Sequence, residues 1–502
     1  VSSLYVSFPA LGRTIKAAQG DNLLEVLRGA HIPLQSDCGG IGNCGRCRVN
    51  VNGNKALACL TYLTEDIEVV LPTAVIADGP DYPAGVEGSG PQRRAATREE
   101  AVSNPQGSYA FAIDLGTTTL AGKLVDLSSG RELGSFAQLN EQQLYGADVI
   151  SRINGAIDDA SKLSHLITSQ LDALIAGLLT ERRIPGSQVA RVVIAGNTAM
   201  SYLLLNLPCR SLGTAPFAPK FTLRASYPYE ELFHTQTLLC DCVLLPFISA
   251  FVGGDLTSGL CLLGDEDDFI LMDMGTNGEI VFKRGDRLLC TATAAGPAFE
   301  GSCIECGMGS IPGAISSVTY VDGGFCYQTI GAVPAIGICG SGLLDLMAVL
   351  LQQGFVDSTG FMTEKCKDGR VVLLQPDRQT GASPVFFTQK DVRQFQLAKS
   401  AIRSGIEVIC REMGGELPRK VYLAGGFGQS LNPQSALATG LLPESFSGRV
   451  IPVGNSSLNG AVKLCMDESL RLEVPARIAN AQEINLATHP LFSDLFMEHM
   501  AL

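Results

Sequence analysis

The chain has 502 residues, 46% of them hydrophobic and 17% charged, with a formal net charge of −13. At roughly 100–200 residues per domain this is a globular chain of several domains, and its acidic balance excludes the basic footprint of a nucleic-acid binder or of a protein drawn to anionic lipid. No stretch approaches the ~18 unbroken apolar residues of a membrane span, and the opening VSSLYVSFPALGRTIKAAQG has no basic-then-apolar signal pattern, so a cytoplasmic protein is expected.

Residues 1–75 read as one small unit. Val6, Phe8 and Ile15 alternate as in a hairpin, and Asn22 to Gly29 forms a short helix with Leu23, Leu24 and Leu27 on one face. A glycine-rich loop leads to a strand, Arg48 to Val51. Asn52-Gly53 is a hairpin turn, and Ile67 to Leu71 closes the unit. Residues 76–107, rich in Gly, Pro, Ser and charge, hold too little apolar surface for a core and read as a flexible linker. From 108 to 502 strands and helices alternate. The predicted strands are Tyr109 to Asp114, Val192 to Ala195, Phe269 to Asp273 with Ile280 to Phe282 as hairpin partner, and Val421 to Ala424. Ser164 to Leu179 and Arg393 to Arg403 read as amphipathic helices. DLGTTT at 114–119 and DMGTNGE at 273–279 look like two versions of one element, which predicts a duplicated α/β architecture.

Four cysteines, Cys38, Cys44, Cys47 and Cys59, are spaced C-x5-C-x2-C-x11-C. Three thiolates on a glycine loop, with a fourth returning from a hairpin, can enclose a small iron–sulfur cluster, because glycine lets backbone N–H groups approach the sulfides. Structural zinc is the competing reading, but zinc sites usually show two paired knuckles and only Cys44 and Cys47 form one. The spacing resembles that of plant-type ferredoxins with one extra residue in the first loop, so residues 1–75 look like a ferredoxin domain carrying [2Fe–2S].

Asp114-Leu-Gly-Thr-Thr-Thr119 is a strand running into a tight turn. There the N–H groups and hydroxyls of Gly116, Thr117 and Thr118 are suited to phosphate, and Asp114 to Mg²⁺ held through water. Gly275, Thr276, Asn277 and Asp273 repeat the arrangement. Ala424-Gly-Gly-Phe-Gly-Gln-Ser-Leu-Asn432 supplies a third glycine turn with Gly425, Gly426 and Gly428, in the order of an adenosine-contacting loop. Asn197 and Thr198 either line the cleft or cap a helix. No P-loop and no Rossmann G-x-G-x-x-G is present, the five histidines show no ligand spacing, and Cys303-Ile-Glu-Cys306 reads as packed thiols.

The three glycine turns resemble the phosphate and adenosine motifs of the ASKHA superfamily of sugar kinases, Hsp70 and actin. That resemblance implies ATP with Mg²⁺ as cofactor and makes Asp255, after Pro246-FISAFVGG, the candidate for orienting the attacking water. A helix-capping or turn role for Asp255 is the alternative. The fold class is therefore multidomain α/β: a small β-grasp-like ferredoxin domain (α+β) at 1–75, a flexible linker at 76–107 and a duplicated ASKHA/actin-like ATPase domain at 108–502.

A cluster and an ATPase on one chain make sense when ATP drives an electron uphill. The whole pattern, including AGPAFEGSCIECGM at 295–308, GICGSGL and LAGGFG, resembles the reductive activators of corrinoid-dependent methyltransferases and O-demethylases. The resemblance implies one-electron reduction of Co(II)-cobalamin to Co(I) in a partner corrinoid protein. It also implies an external low-potential electron donor and a homodimer, and the short 76–107 segment leaves little room for the middle domain of longer members. A metabolite kinase with a fused redox-sensing ferredoxin domain and a redox-gated regulatory module are the competing classes.

Overall fold

The computed structural model describes residues 3–30, 32, 34, 47–71, 107–146, 148–157, 159–275, 277–301, 303–376, 383–425, 428 and 431–502. The expected linker, Cys38, Cys44, Thr276 and Gly426 lie outside the described residues, apart from position 107 at the linker's end. The chain divides into two compact units, Val1–Leu244 and Leu245–Leu502.

The first unit opens with a five-stranded sheet in the order β2-β1-β5-β3-β4. Strands β1 (Ser3–Phe8) and β2 (Arg13–Ala18) form the predicted hairpin, with Val6 opposite Ile15. Helix α1 (Leu23–Gly29) begins where Asn22 accepts the Leu24 N–H at 3.0 Å, and it buries Leu23, Leu24 and Leu27. Strands β3 (Arg48–Val51) and β4 (Asn54–Leu57) are joined by Asn52 and Gly53, both left-handed at φ 48° and 85°. That pair of positive φ values is what a two-residue hairpin needs and what Asn-Gly accepts without strain. Strand β5 (Ile67–Val70) runs parallel to β1 and antiparallel to β3. A helix laid across such a mixed sheet is the β-grasp arrangement. Val6, Phe8, Leu23, Leu24, Leu27 and Val49 fill its core together with Cys47 and Cys59.

The same unit continues with a six-stranded sheet. Strands β6 (Tyr109–Leu115), β7 (Thr119–Asp126) and β8 (Glu132–Leu139) make an antiparallel meander. Helix α2 (Val149–Gly155) and the 22-residue helix α3 (Ser161–Arg182) follow. Strand β9 (Val189–Gly196) then returns parallel to β6, helix α4 is Thr198–Leu204, and the two-residue β10 (Tyr227–Pro228) sits on the edge beyond β11 (Asp241–Leu244), which lies parallel to β9. Helix α3 has the length and hydropathy of a membrane span. It nevertheless buries Leu163, Ile167, Leu171 and Ile175 in the protein interior, as a core helix does.

The second unit starts with helix α5 (Gly254–Leu263) and repeats the sheet. Strands β12 (Phe269–Met274), β13 (Gly278–Arg284) and β14 (Arg287–Thr293) form a meander. After a three-stranded insertion of β15 (Ala314–Val321), β16 (Gly324–Thr329) and β17 (Gly337–Ile338) come α6 (Gly340–Gln352), the hairpin β18 (Arg370–Leu374) and β19 (Val385–Thr388), and α7 (Gln389–Glu412). Strand β20 (Lys420–Ala424) lies parallel to β12 and β21 (Val450–Gly454) parallel to β20. Helices α8 (Ser456–Met466) and α9 (Phe492–Glu498) flank the short edge strand β22 (Ala481–Glu483) in the sequence. The orders β8-β7-β6-β9-β11 and β14-β13-β12-β20-β21 are the same topology twice. The duplication expected from the two Asp-x-Gly-Thr turns is thus a duplication of the whole sheet, each turn joining its first two strands.

Candidate functional site

The eleven residues between Cys47 and Cys59 are a hairpin spacer. Strand β3 carries the chain away and β4 brings it back, with Ala58 N–H bonded to the Cys47 carbonyl at 2.8 Å. The two sulfurs then stand 3.2 Å apart, both buried and neither in a disulfide. Asn22 ties this point to α1 by donating Nδ2 to the Cys59 carbonyl at 2.9 Å. Two converging thiols in an apolar core fit a shared metal centre, and soft thiolate ligands suit iron–sulfur.

In the first unit the turn Gly116–Thr118 is held from beneath. Asn140 donates Nδ2 to the Gly116 carbonyl at 3.0 Å and its backbone N–H to the Thr118 carbonyl at 2.9 Å. Asn197 caps α4 by accepting the Met200 N–H at 2.9 Å and donates Nδ2 to Thr117 Oγ1 at 2.9 Å. The cap reading of Asn197 is therefore realised, and the same side chain also bonds the turn. Asp114 lies at the end of β6, opposite Ala195 of β9. Under the turn sits Arg152, on α2, and with Asn140 and Gln142 it is 0% exposed. Its Nε donates to the Gly146 carbonyl at 2.8 Å, and Nη1 reaches Gln142 Oε1 and Met200 Sδ, each at 3.4 Å. Nη2 has no hydrogen-bond partner among the described residues. Burial pulls the Arg152 pKa down to about 10, opposed only by Asp148. No local pattern in the sequence announces this arginine.

In the second unit the β12–β13 register sets Asp273 opposite Glu279, so both carboxylates project from the same side of the hairpin. The parallel partner of Asp273 is Ala424 on β20, which delivers Gly425 to the same place. A Cβ added to Gly425 would stand 2.6 Å from Asp273 Oδ1, and its φ of 87° suits glycine alone. Glu300 Oε1 lies 3.7 Å from where Gly275 would carry a Cβ. Burial first, then Asp255, Asp273 and Glu300, hold the Glu279 carboxyl well above the usual range. Asp255 and Asp273 are thus both within electrostatic reach of Glu279. Glu279 was missed although it ends the DMGTNGE motif, because its neighbours come from cross-strand register.

Asp255 does not cap its helix. Gly253 occupies the cap and Asp255 sits in the first turn, accepting the Leu256 N–H at 2.8 Å. The preceding loop is pinned by Ser249. Its hydroxyl accepts the Phe251 and Val252 N–H groups at 3.2 and 3.1 Å and donates to Glu483 Oε1 on β22 at 2.8 Å. Cys306 Sγ accepts the Phe386 N–H at 3.5 Å, and burial pushes its thiol up, as expected of a packed thiol.

A β-grasp domain with paired thiolates, followed by two copies of an Asp-x-Gly-Thr sheet, defines a ferredoxin-type domain joined to an ASKHA-type ATPase. Comparison with known proteins gives the family. The RACo middle region matches residues 109–265, the C-terminal ASKHA domain of RACo matches 267–502, and a 2Fe-2S iron-sulfur cluster binding domain matches 9–66. The chain belongs to the RACo family of reductive activators. The corrinoid activation enzyme RamQ of Eubacterium limosum is 27% identical, with 98% of each chain covered. The [Co(II) methylated amine-specific corrinoid protein] reductase of Methanosarcina barkeri is 25% identical over 78% of this chain and 76% of its own. The solved structure of a reductive activator for corrinoid, iron–sulfur protein superposes with a TM-score of 0.70 at 27% identity, covering 99% of this chain and 98% of that one. These matches correct one expectation. The middle region of the family is present at 109–265 and is not squeezed into 76–107, because it carries the first copy of the duplicated sheet.

Proposed function

We propose that this chain is an ATP-hydrolysing corrinoid reductase, returning Co(II)-cobalamin of a partner methyltransferase or O-demethylase corrinoid protein to Co(I). The observation that carries the reading is the end-to-end match to a corrinoid activation enzyme, 98% of both chains, by a protein with one thiolate centre and two Asp-x-Gly-Thr turns. Cys38, Cys44, Cys47 and Cys59 would hold a [2Fe–2S] cluster, which when bound would supply one-electron transfer, with an external low-potential donor as the reductant. Gly116, Thr117 and Thr118 in one unit, and Gly275, Thr276 and Asn277 in the other, bind nucleotide phosphate. Asp114 and Asp273 would hold Mg²⁺, which would neutralise phosphate charge. Gly425, Gly426 and Gly428 contact adenosine, and Asp255 orients the attacking water. ATP is needed because a plant-type cluster sits near about −400 mV and each ~59 mV of a one-electron gap costs tenfold in equilibrium. Nucleotide-dependent docking supplies the coupling free energy.

The test mixes the anaerobically reduced protein with a Co(II) corrinoid protein, with and without MgATP, and follows the visible spectrum. Co(I) that forms only with MgATP, and is lost in Asp273→Asn and Asp255→Asn, supports the reading. Co(I) at the same rate without nucleotide removes the coupling. A phosphorylated small molecule in place of Co(I) identifies a kinase.

A further inference from the structure

A buried guanidinium without a counter-charge is expensive, and proteins keep such a group where a ligand or a mechanism uses it. Arg152 comes close to such a group: the Asp148 carboxylate acts on it through space, but the two form no ion pair. It is fully buried, it makes no ion pair among the described residues, and Nη2 has no acceptor there. Its contacts radiate toward one feature. Through Nη1 it reaches Gln142 Oε1, which also accepts Asn140 Nδ2 at 3.4 Å, and Asn140 holds the Gly116 and Thr118 carbonyls. Through Met200 Sδ it touches the first turn of α4, whose cap, Asn197, holds the Thr117 hydroxyl. All three residues of the turn are thus tied to one cation by two arms.

We propose that Arg152 is the positioning residue of the Gly116–Thr118 turn, fixing its shape through the two arms and lending it the positive charge that a nucleotide's phosphates neutralise. In a dry, low-dielectric setting a charge acts over several ångströms with little screening, so Arg152 need not touch the phosphate. The inference deepens the phosphate reading of this turn and rests on it. It assigns to the turn a preference for the charged part of the nucleotide over its nucleoside part.

The experiment titrates the full-length protein with MgATP and with adenosine, for wild type, Arg152→Met and Arg152→Lys, and records each apo melting temperature. Arg152→Met is expected to weaken MgATP at least tenfold, leave adenosine within twofold, and melt no lower than wild type, since it removes an unpaired buried charge. Arg152→Lys, which keeps the charge and loses the fork, falls between. Should Arg152→Met fail to fold, Gln142→Leu severs the arm to Gly116 with the guanidinium in place, and the same split between MgATP and adenosine is expected. MgATP affinity within twofold of wild type, or equal losses for MgATP and adenosine, overturns the proposal. A wild type that binds no MgATP overturns the phosphate reading as well, so the two failures are told apart by the wild-type titration.

Discussion

Asn197 caps α4 with its side-chain oxygen and steadies Thr117 with its side-chain nitrogen, and the two duties are separable by substitution. Asn197→Asp keeps the cap acceptor and loses the donor. Its stability should stay within about 0.5 kcal/mol of wild type while MgATP binding weakens about tenfold, whereas Asn197→Ala also loses the cap, worth about 1 kcal/mol. Chemical unfolding and nucleotide titration of the pair decide it: equal nucleotide affinity in Asn197→Asp and wild type would sever the cap from the turn. At this scale the sequence showed what local chemistry encodes. The meeting of Cys47 and Cys59 was legible from their spacing, and the place of Asp273 near a strand end from the motif that follows it. Arg152 and Glu279 were not, because neither burial under another strand pair nor cross-strand register leaves a mark in neighbouring residues. Asp255 was legible only as an acid near a glycine pair. Its place inside the first turn of α5 follows from Gly253 taking the cap.

Among the elements, strands were read more faithfully than helices. Arg48 to Val51 matches β3 end to end, since alternation and an Asn-Gly turn bound it on one side. Helix α7 was expected from Arg393 to Arg403 and runs from Gln389 to Glu412. Its start is a capping box in which Thr388 and Asp391 bond reciprocally, a signal that lies outside the apolar stripe. That helix also holds the segment around α9. Gln396 donates to the Met500 carbonyl at 2.6 Å, Lys399 to the Ala501 carbonyl, Ser400 to the Phe496 carbonyl, and His499 meets Glu407 at 2.8 Å. Burial, then Arg403, pulls the Lys399 pKa down to about 8 from the ordinary 10.5. Between those two values the unfolded chain keeps a proton that the folded chain has released, so stability rises with pH there. Wild type should gain on the order of 2 kcal/mol relative to Lys399→Met between pH 8 and 10.5. Urea unfolding across that range measures the difference, and parallel curves would place the ammonium in water.

For the whole molecule, the repeated turn was the legible trace of a repeated sheet, and the resemblance it carried reached the ASKHA class of fold. The position of the middle region was not legible, because its motif is also the first ASKHA motif. We propose from its composition that the Gly- and Pro-rich stretch at 76–107 sets how far a cluster domain reaches from an ATPase, and reach governs effective concentration at a partner. Deleting part of 79–106 should slow Co(I) formation several-fold while MgATP hydrolysis survives; equal loss of both would show that the segment is not a tether. The hairpin that returns Cys59 to Cys47 bears on how the protein is made. It sets two thiols 3.2 Å apart inside an apolar core. Sulfurs that close, with the Ala58 N–H bonded to the Cys47 carbonyl beside them, can be joined by a two-electron oxidant as well as by a metal. A Cys47–Cys59 disulfide, its two protons and two electrons passed to that oxidant, would take both thiols away from any metal.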